Sequence, residues 1–134
     1  MDRLFLDANV LFSAAYGSRG IEGLWKQARQ GHVRLLASSY VVEEAIRNLP
    51  RPEQLAKLKE LPAELTIVPE AHPGMSCPVK LPLKDVPVLT AAVQARATHL
   101  ITGDLNHFGI YRGETIQGVH VCTPGDYLNR LQAR

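Results

Sequence analysis

The chain has 134 residues, 46% of them hydrophobic and 21% charged, which suits one globular domain, so we expect residues 1–134 to fold as a single unit. It has no apolar run near the roughly 18 residues of a membrane span, and its first apolar stretch is too short for a signal peptide, so we expect a cytoplasmic protein without a membrane partner. The net charge of +2 is too small by itself to indicate a nucleic-acid partner. The two cysteines do not form a CxxC pair, which argues against a structural zinc site.

The hydrophobic pattern alternates along the chain between short apolar runs, typical of buried strands, and repeats at helical spacing. The predicted strands are 4–6, 33–37, 65–68, 99–102 and 119–122. The predicted helices are 21–28, 39–49, 53–61, 86–97 and 124–131. Between them, residues 69–83 contain four prolines and are predicted to form a long loop. This alternation favours a parallel sheet with helices on both faces, in which ligands bind beyond the carboxyl ends of the strands.

Acidic residues stand where this architecture brings strand ends together. Asp7 follows the first strand, Asp104 follows the fourth, and Asp85 begins the helix that leads into the fourth. A further acid, Glu43 or Glu44, lies on the helix after the second strand. The structural alternatives are a helix cap for Asp85, a turn for Asp104 and a solvated surface for one glutamate, whereas a charge at Asp7, directly after an apolar strand, needs a partner or a metal.

Several carboxylates at one edge of a sheet would repel one another. Two unit charges ~4 Å apart cost about 4 kcal/mol at an effective dielectric constant near 20. A bound cation would offset this cost, and oxygen ligands without His or Cys favour Mg²⁺ or Mn²⁺ over zinc. Such ions activate water and stabilise the leaving group in phosphoryl chemistry. The acids therefore predict a divalent-metal site.

Four segments combine these acids with characteristic neighbours. They are 6–11 (LDANVL), 39–49 (SYVVEEAIRNL), 84–92 (KDVPVLTAA) and 100–108 (LITGDLNHF). In this order and spacing they resemble the motifs of the PIN-domain nucleases, in particular the bacterial and archaeal branch that includes toxins of toxin–antitoxin pairs. The resemblance covers essentially the whole chain. Ala8 departs from the family pattern, which has Thr at this position.

The resemblance implies an α/β fold, a three-layer α/β/α sandwich with a central parallel sheet. It also implies four catalytic, metal-binding acids: Asp7, Glu44, Asp85 and Asp104. The choice of Glu44 over Glu43 rests on the resemblance, because helical spacing leaves both open. Asn9 and Thr102 would orient the carboxylates, with local turn and strand hydrogen bonding as the alternative. Asn106 stands where some members carry another acid and would be a neutral oxygen ligand at best.

The implied activity is hydrolysis of RNA phosphodiester bonds by metal-activated water, with Mg²⁺ or Mn²⁺ as cofactor. Lys84, directly before Asp85, is the candidate contact to the RNA backbone. The implied partners are an RNA substrate, an antitoxin protein and a second copy in a homodimer. A non-catalytic PIN-fold binding module stays open as an alternative, because Ala8 and Asn106 depart from the family pattern. A phosphatase of the haloacid dehalogenase type ranks last, because it needs an Asp where this chain has Asn9.

Overall fold

A six-stranded sheet lies at the centre of the computed structural model, which describes residues 1–49, 51–60 and 65–132. Its strands are β1 (Asp2–Leu6), β2 (Val33–Ser38), β3 (Leu65–Val68), β4 (His99–Ile101), β5 (Thr115–Ile116) and β6 (Val119–Cys122). The strand order is β3-β2-β1-β4-β6-β5, and all neighbours are parallel except β5 and β6. The predicted parallel sheet is confirmed with one correction, the antiparallel edge strand β5. A strand of two residues is too short to produce a hydrophobic period.

Seven helices surround the sheet in the described part of the chain: α1 (Ala8–Ala15), α2 (Arg19–Arg29), α3 (Ser39–Asn48), α4 (Pro52–Glu60), α5 (Val86–Gln94), α6 (Leu105–Phe108) and α7 (Pro124–Gln132). None of them is both long and apolar enough to cross a membrane. The helix predicted over 86–97 ends earlier, where Arg96 adopts a positive φ of 57°. The predicted end of α4 at residue 61 lies outside the described residues.

Two helices were not predicted, and each has a physical reason. The helix α1 contains no charged residue, so it lacks the strongly polar face that makes an amphipathic helix recognisable. The helix α6 has four residues, too few for a helical period. It is followed by a short 3-10 turn, Gly109–Tyr111.

The core lies on both sides of the sheet. Leu4, Phe5 and Leu6 of β1 are all fully buried, which explains why this strand is a continuous apolar run. The helix α1 packs against α3 and α4, and α2 packs against α7 and β2. The structure is therefore the predicted three-layer sandwich.

The strand order reverses between β1 and β4, which are neighbours. From β1 the chain proceeds through β2 to β3 at one edge, and from β4 it proceeds to β6 on the other side. Leu6 lies opposite Ile101, and the N–H of Asp7 donates to the Ile101 carbonyl at 3.0 Å. Ligands of open α/β sheets bind at such a switch point, beyond the carboxyl ends of the strands. Asp7 and Asp104 follow these two strands.

A bidentate ion pair holds the start of α7, away from the ends of β1 and β4. The Arg112 guanidinium donates to both oxygens of Asp126 at 2.8 and 2.9 Å. The N–H of Thr123 donates to Asp126 Oδ2, and the N–H of Asp126 donates to Thr123 Oγ1, which forms a reciprocal cap. The Arg112 hydrogen bonds lower the pKa of Asp126 to about 2.

Because the pKa of Asp126 is lowered, we expect the folding stability of the protein to fall at acidic pH. The ordinary value is 3.8, so the contribution of Asp126 is present above about pH 4 and is lost as the pH falls through about 2. We expect Asp126→Asn to lower the melting temperature at pH 7 by on the order of 3 °C, and by less at pH 2. Glu114→Gln, which removes an exposed acid nearby, should change the melting temperature little at either pH. An equal loss for Asp126→Asn at both pH values would contradict the assignment.

Candidate active site

Asp7 is a buried carboxylate, only 3% exposed, between the end of β1 and the start of α1. Its Oδ1 accepts a hydrogen bond from the N–H of Ala8 at 2.8 Å. Its Oδ2 accepts from Thr102 Oγ1 at 2.8 Å and from Asn9 Nδ2 at 3.1 Å. Burial raises the pKa of Asp7, the hydrogen bonds from Thr102 and Ala8 lower it, and the charge of Glu44 raises it again. Three donors therefore hold this carboxylate in one orientation.

Thr102 and Asn9 join the ends of β1 and β4. Thr102 Oγ1, which donates to Asp7, also accepts from the N–H of Asp104 at 3.0 Å. Asn9 Oδ1 accepts from the N–H of Gly103 at 2.7 Å. A Cβ at Gly103 would lie 3.2 Å from that oxygen, so glycine permits the close approach. These contacts hold the Asp7 carboxylate and tie the backbone at Gly103 and Asp104 to it.

Asp104 caps α6, and its two oxygens have different contacts. Its Oδ1 accepts from the N–H of His107 at 3.2 Å, as in a helix cap. Its Oδ2 lies 2.8 Å from His107 Nδ1. The same nitrogen lies 2.9 Å from Asp85 Oδ2. The ring of His107 thus stands between two of the predicted acids, a contact whose sequence signal is the i,i+3 spacing from Asp104.

Asp85 precedes α5 and is 6% exposed. It occupies the N-cap position, but its side chain makes no capping hydrogen bond, so the capping alternative is wrong. Its Oδ2 is buried, and its 2.9 Å contact with His107 Nδ1 is an ion pair without hydrogen-bond geometry. Burial raises the pKa of Asp85, and the charges of Asp7 and Asp104 raise it further, while His107 and Lys84 act in the opposite direction.

The predicted acids line one cavity of about 300 Å³. The lining residues are Asp7, Ala8, Asn9, Phe12, Glu44, Asn48, Lys84, Asp85 and Asp104. Glu44 lies at this cavity, whereas its neighbour Glu43 is exposed and does not line it. Asn48, one turn further along α3, donates through Nδ2 to the Glu44 carbonyl at 3.0 Å and also lines the cavity. Sequence reasoning missed Asn48, although its i,i+4 spacing from Glu44 places both on one helix face.

The segment before Asp85 brings a cation to the cavity. Lys84 is exposed and lines the cavity, and the hydroxyl of Tyr40 donates to its carbonyl at 2.7 Å. This bond ties the backbone next to Asp85 to α3. Asn106 is exposed on α6 and is not among the residues that line the cavity, and its role stays a prediction.

No protein-family model matches the sequence, and no curated protein matches it. Among solved structures, the chain is similar to a chain of the VapBC2 complex from Rickettsia felis, determined bound to a fragment of promoter DNA. The TM-score is 0.63 at 15% identity, over 90% of this chain and 98% of that chain. A second similar structure is the PIN domain endonuclease Utp24, with a TM-score of 0.49 at 18% identity, over 78% of this chain and 72% of that chain. The strand order, the flanking helices and the first likeness give this chain the PIN-domain fold, as its motifs predicted.

Proposed function

We propose that this chain is a divalent-metal-dependent endoribonuclease that hydrolyses phosphodiester bonds in RNA. The observation that carries the proposal is the convergence of Asp7, Glu44, Asp85 and Asp104 on one cavity at the switch point of the sheet. Four acids in one cavity are costly in a folded protein unless a cation offsets their charge.

The donor set fits a hard divalent cation. Asp85 Oδ2 is buried, and its ion pair with His107 lacks hydrogen-bond geometry, so no hydrogen bond competes with a cation for this oxygen. Carboxylate oxygens are the ligands that Mg²⁺ and Mn²⁺ accept, and Asp7, Glu44, Asp85 and Asp104 would hold the ion. When bound, such an ion activates water and offsets the charge of the phosphate and the leaving group.

The remaining residues position the acids and the substrate. Thr102 and Asn9 keep Asp7 in one orientation, and Tyr40 holds the backbone of Lys84. The ammonium of Lys84 at the cavity would contact a phosphate of the RNA backbone and draw the strand toward the acids.

An aromatic pair next to the cavity supports a nucleic-acid substrate. Phe12 lines the cavity, and its ring centroid lies 4.8 Å from that of Tyr16, which is 52% exposed. An exposed aromatic ring beside a phosphate-binding cavity offers a surface on which an unpaired base stacks. Single-stranded RNA, whose bases are accessible, is therefore the proposed substrate.

The proposal extends to a toxin role with an antitoxin partner. The complex of Rickettsia felis named above is a VapBC2 assembly. In this chain, Leu83 and Leu105 are 89% and 47% exposed, and each lies next in sequence to a cavity-lining residue, Lys84 or Asp104. Exposed leucines beside a charged site favour a protein that covers it. Co-purification with the product of an adjacent small open reading frame would test this.

RNA cleavage in the presence and absence of metal tests the central proposal. Purified protein is incubated with labelled single-stranded RNAs in Mn²⁺, in Mg²⁺ and in EDTA, beside Asp104→Asn and Glu43→Gln prepared identically. We expect metal-dependent cleavage that Glu43→Gln retains and that Asp104→Asn loses by on the order of 10²-fold or more. Equal cleavage by Asp104→Asn would point to a contaminant and contradict the proposal. RNA binding without cleavage across several RNAs would favour the non-catalytic binding module.

A further inference from the structure

We propose that His107 is a nitrogen ligand of the proposed metal site, which makes the site a mixed nitrogen-and-oxygen site that prefers Mn²⁺ to Mg²⁺. The inference rests on the proposed function, because His107 would ligate the ion that the acids hold. It goes beyond the four acids of the sequence motifs, which supply oxygen alone.

The helix α6 holds the imidazole of His107 in place. Asp104 caps the helix through Oδ1, and Phe108, the residue after His107, is 1% exposed and packs into the core. The cap uses one oxygen of Asp104 and leaves Oδ2 beside the imidazole, 2.8 Å from Nδ1. The side chain of His107 is only 27% exposed. Its position therefore follows from the packing of α6 and the cap.

Three ligand atoms converge in two ion pairs, and at His107 Nδ1 and Asp85 Oδ2 these contacts lack hydrogen-bond geometry. His107 Nδ1 lies 2.8 Å from Asp104 Oδ2 and 2.9 Å from Asp85 Oδ2, and ligand atoms of all three residues lie within 4.8 Å of one another. Neither His107 Nδ1 nor Asp85 Oδ2 has a partner with hydrogen-bond geometry, and the Asp85 side chain is 8% exposed. A structural His–Asp pair would place the N–H toward the oxygen and satisfy both atoms.

A shared cation explains both the short distances and the missing hydrogen bonds. Neighbouring ligand atoms around an octahedral ion with bonds of ~2.1 Å lie ~3 Å apart, close to the separations seen here. Imidazole nitrogen is a good ligand for transition metals, whereas Mg²⁺ prefers oxygen and water. Replacing one oxygen position by Nδ1 therefore shifts the preference of the site toward Mn²⁺.

Pulsed electron paramagnetic resonance on the Mn²⁺-loaded protein tests the ligand directly. We expect the wild-type chain to show a ¹⁴N coupling to Mn²⁺ that changes to the ¹⁵N pattern when the protein is grown with ¹⁵N-histidine. The coupling should be absent in His107→Gln and present in His32→Gln, which removes an exposed histidine just before β2, at the opposite end of the parallel strands from the site. The labelled wild-type measurement shows a histidine ligand without any variant, and among the described histidines His107 is the one grouped with the acids.

Calorimetry gives an independent readout of metal preference. We expect His107→Gln to bind Mn²⁺ about tenfold more weakly, with a change of less than about threefold for Mg²⁺. Wild-type Mn²⁺ binding without ¹⁴N coupling, or an unchanged ratio of the two affinities in a folded His107→Gln, would overturn the inference and leave the metal site standing. Failure of the wild-type chain to bind either ion would overturn both this inference and the proposed metal site. Asp104→Asn should lose both ions, which separates loss of the site from loss of its selectivity.

Discussion

Replacing Asp85 with asparagine is expected to make the metal-free protein more stable at pH 7 and to reduce RNA cleavage by on the order of 10³-fold. The Asp85 carboxylate is buried near Asp7 and Asp104, whose charges raise its pKa, and its ion pair with His107 offsets only part of the rise. Burial raises its pKa above 3.8, so the stability that this acid contributes is present below that value and is lost as the pH rises through the folded-state pKa. A neutral amide of the same shape removes this cost at neutral pH.

Thermal melting in EDTA at pH 7 and pH 4 measures the effect. At pH 7 we expect Asp85→Asn to melt about 3–6 °C above the wild-type protein, with a smaller gain at pH 4. Added Mn²⁺ should raise the melting temperature of the wild-type protein by more than that of the variant, because the ion binds the folded state. Glu43→Gln, the matched removal of an exposed acid on α3, should leave melting and cleavage unchanged. A lower melting temperature for Asp85→Asn at pH 7 in EDTA would contradict the charge argument, and unchanged cleavage would remove Asp85 from the site.

Thr102→Val is expected to lower the free energy of unfolding by about 2 kcal/mol and RNA cleavage by about 10- to 100-fold. The single hydroxyl of Thr102 donates to Asp7 at 2.8 Å and accepts from the N–H of Asp104 at 3.0 Å. Valine has nearly the same shape but leaves both partners without this bond inside a buried region. Since the Thr102 hydrogen bond lowers the pKa of Asp7, its loss also makes the charged form of Asp7 less favourable.

Thr102→Ser separates the hydroxyl from the methyl group. We expect the serine variant to keep cleavage within a few-fold of the wild-type rate and to lose less stability in urea than the valine variant. If serine costs as much as valine, packing of the methyl group is the cause and the hydrogen-bond argument is wrong. If valine cleaves RNA at the wild-type rate, the bonds from Asn9 and Ala8 are sufficient to orient Asp7.

The amino-acid sequence was sufficient for the arrangement of most elements. The run from Leu4 to Leu6 is apolar because both faces of β1 are covered, and this is a local property visible in any window of the chain. The alternation of such runs with helical periods is enough to predict a parallel sheet and to place acids at the ends of its strands. Elements without a usable period, such as α1, α6 and β5, were missed for that reason.

The arrangement of the acids was decided by the tertiary structure. Helical spacing left Glu43 and Glu44 equivalent, and the packing of α3 places Glu44 at the cavity. Thr102 and Asp7 are 95 residues apart, and their hydrogen bond depends on β1 and β4 being neighbours in register. The position of His107 between two acids depends on the cap and packing of α6. Local patterns report burial and periodicity, whereas contacts between distant side chains follow from strand order and helix rotation, which are properties of the whole fold.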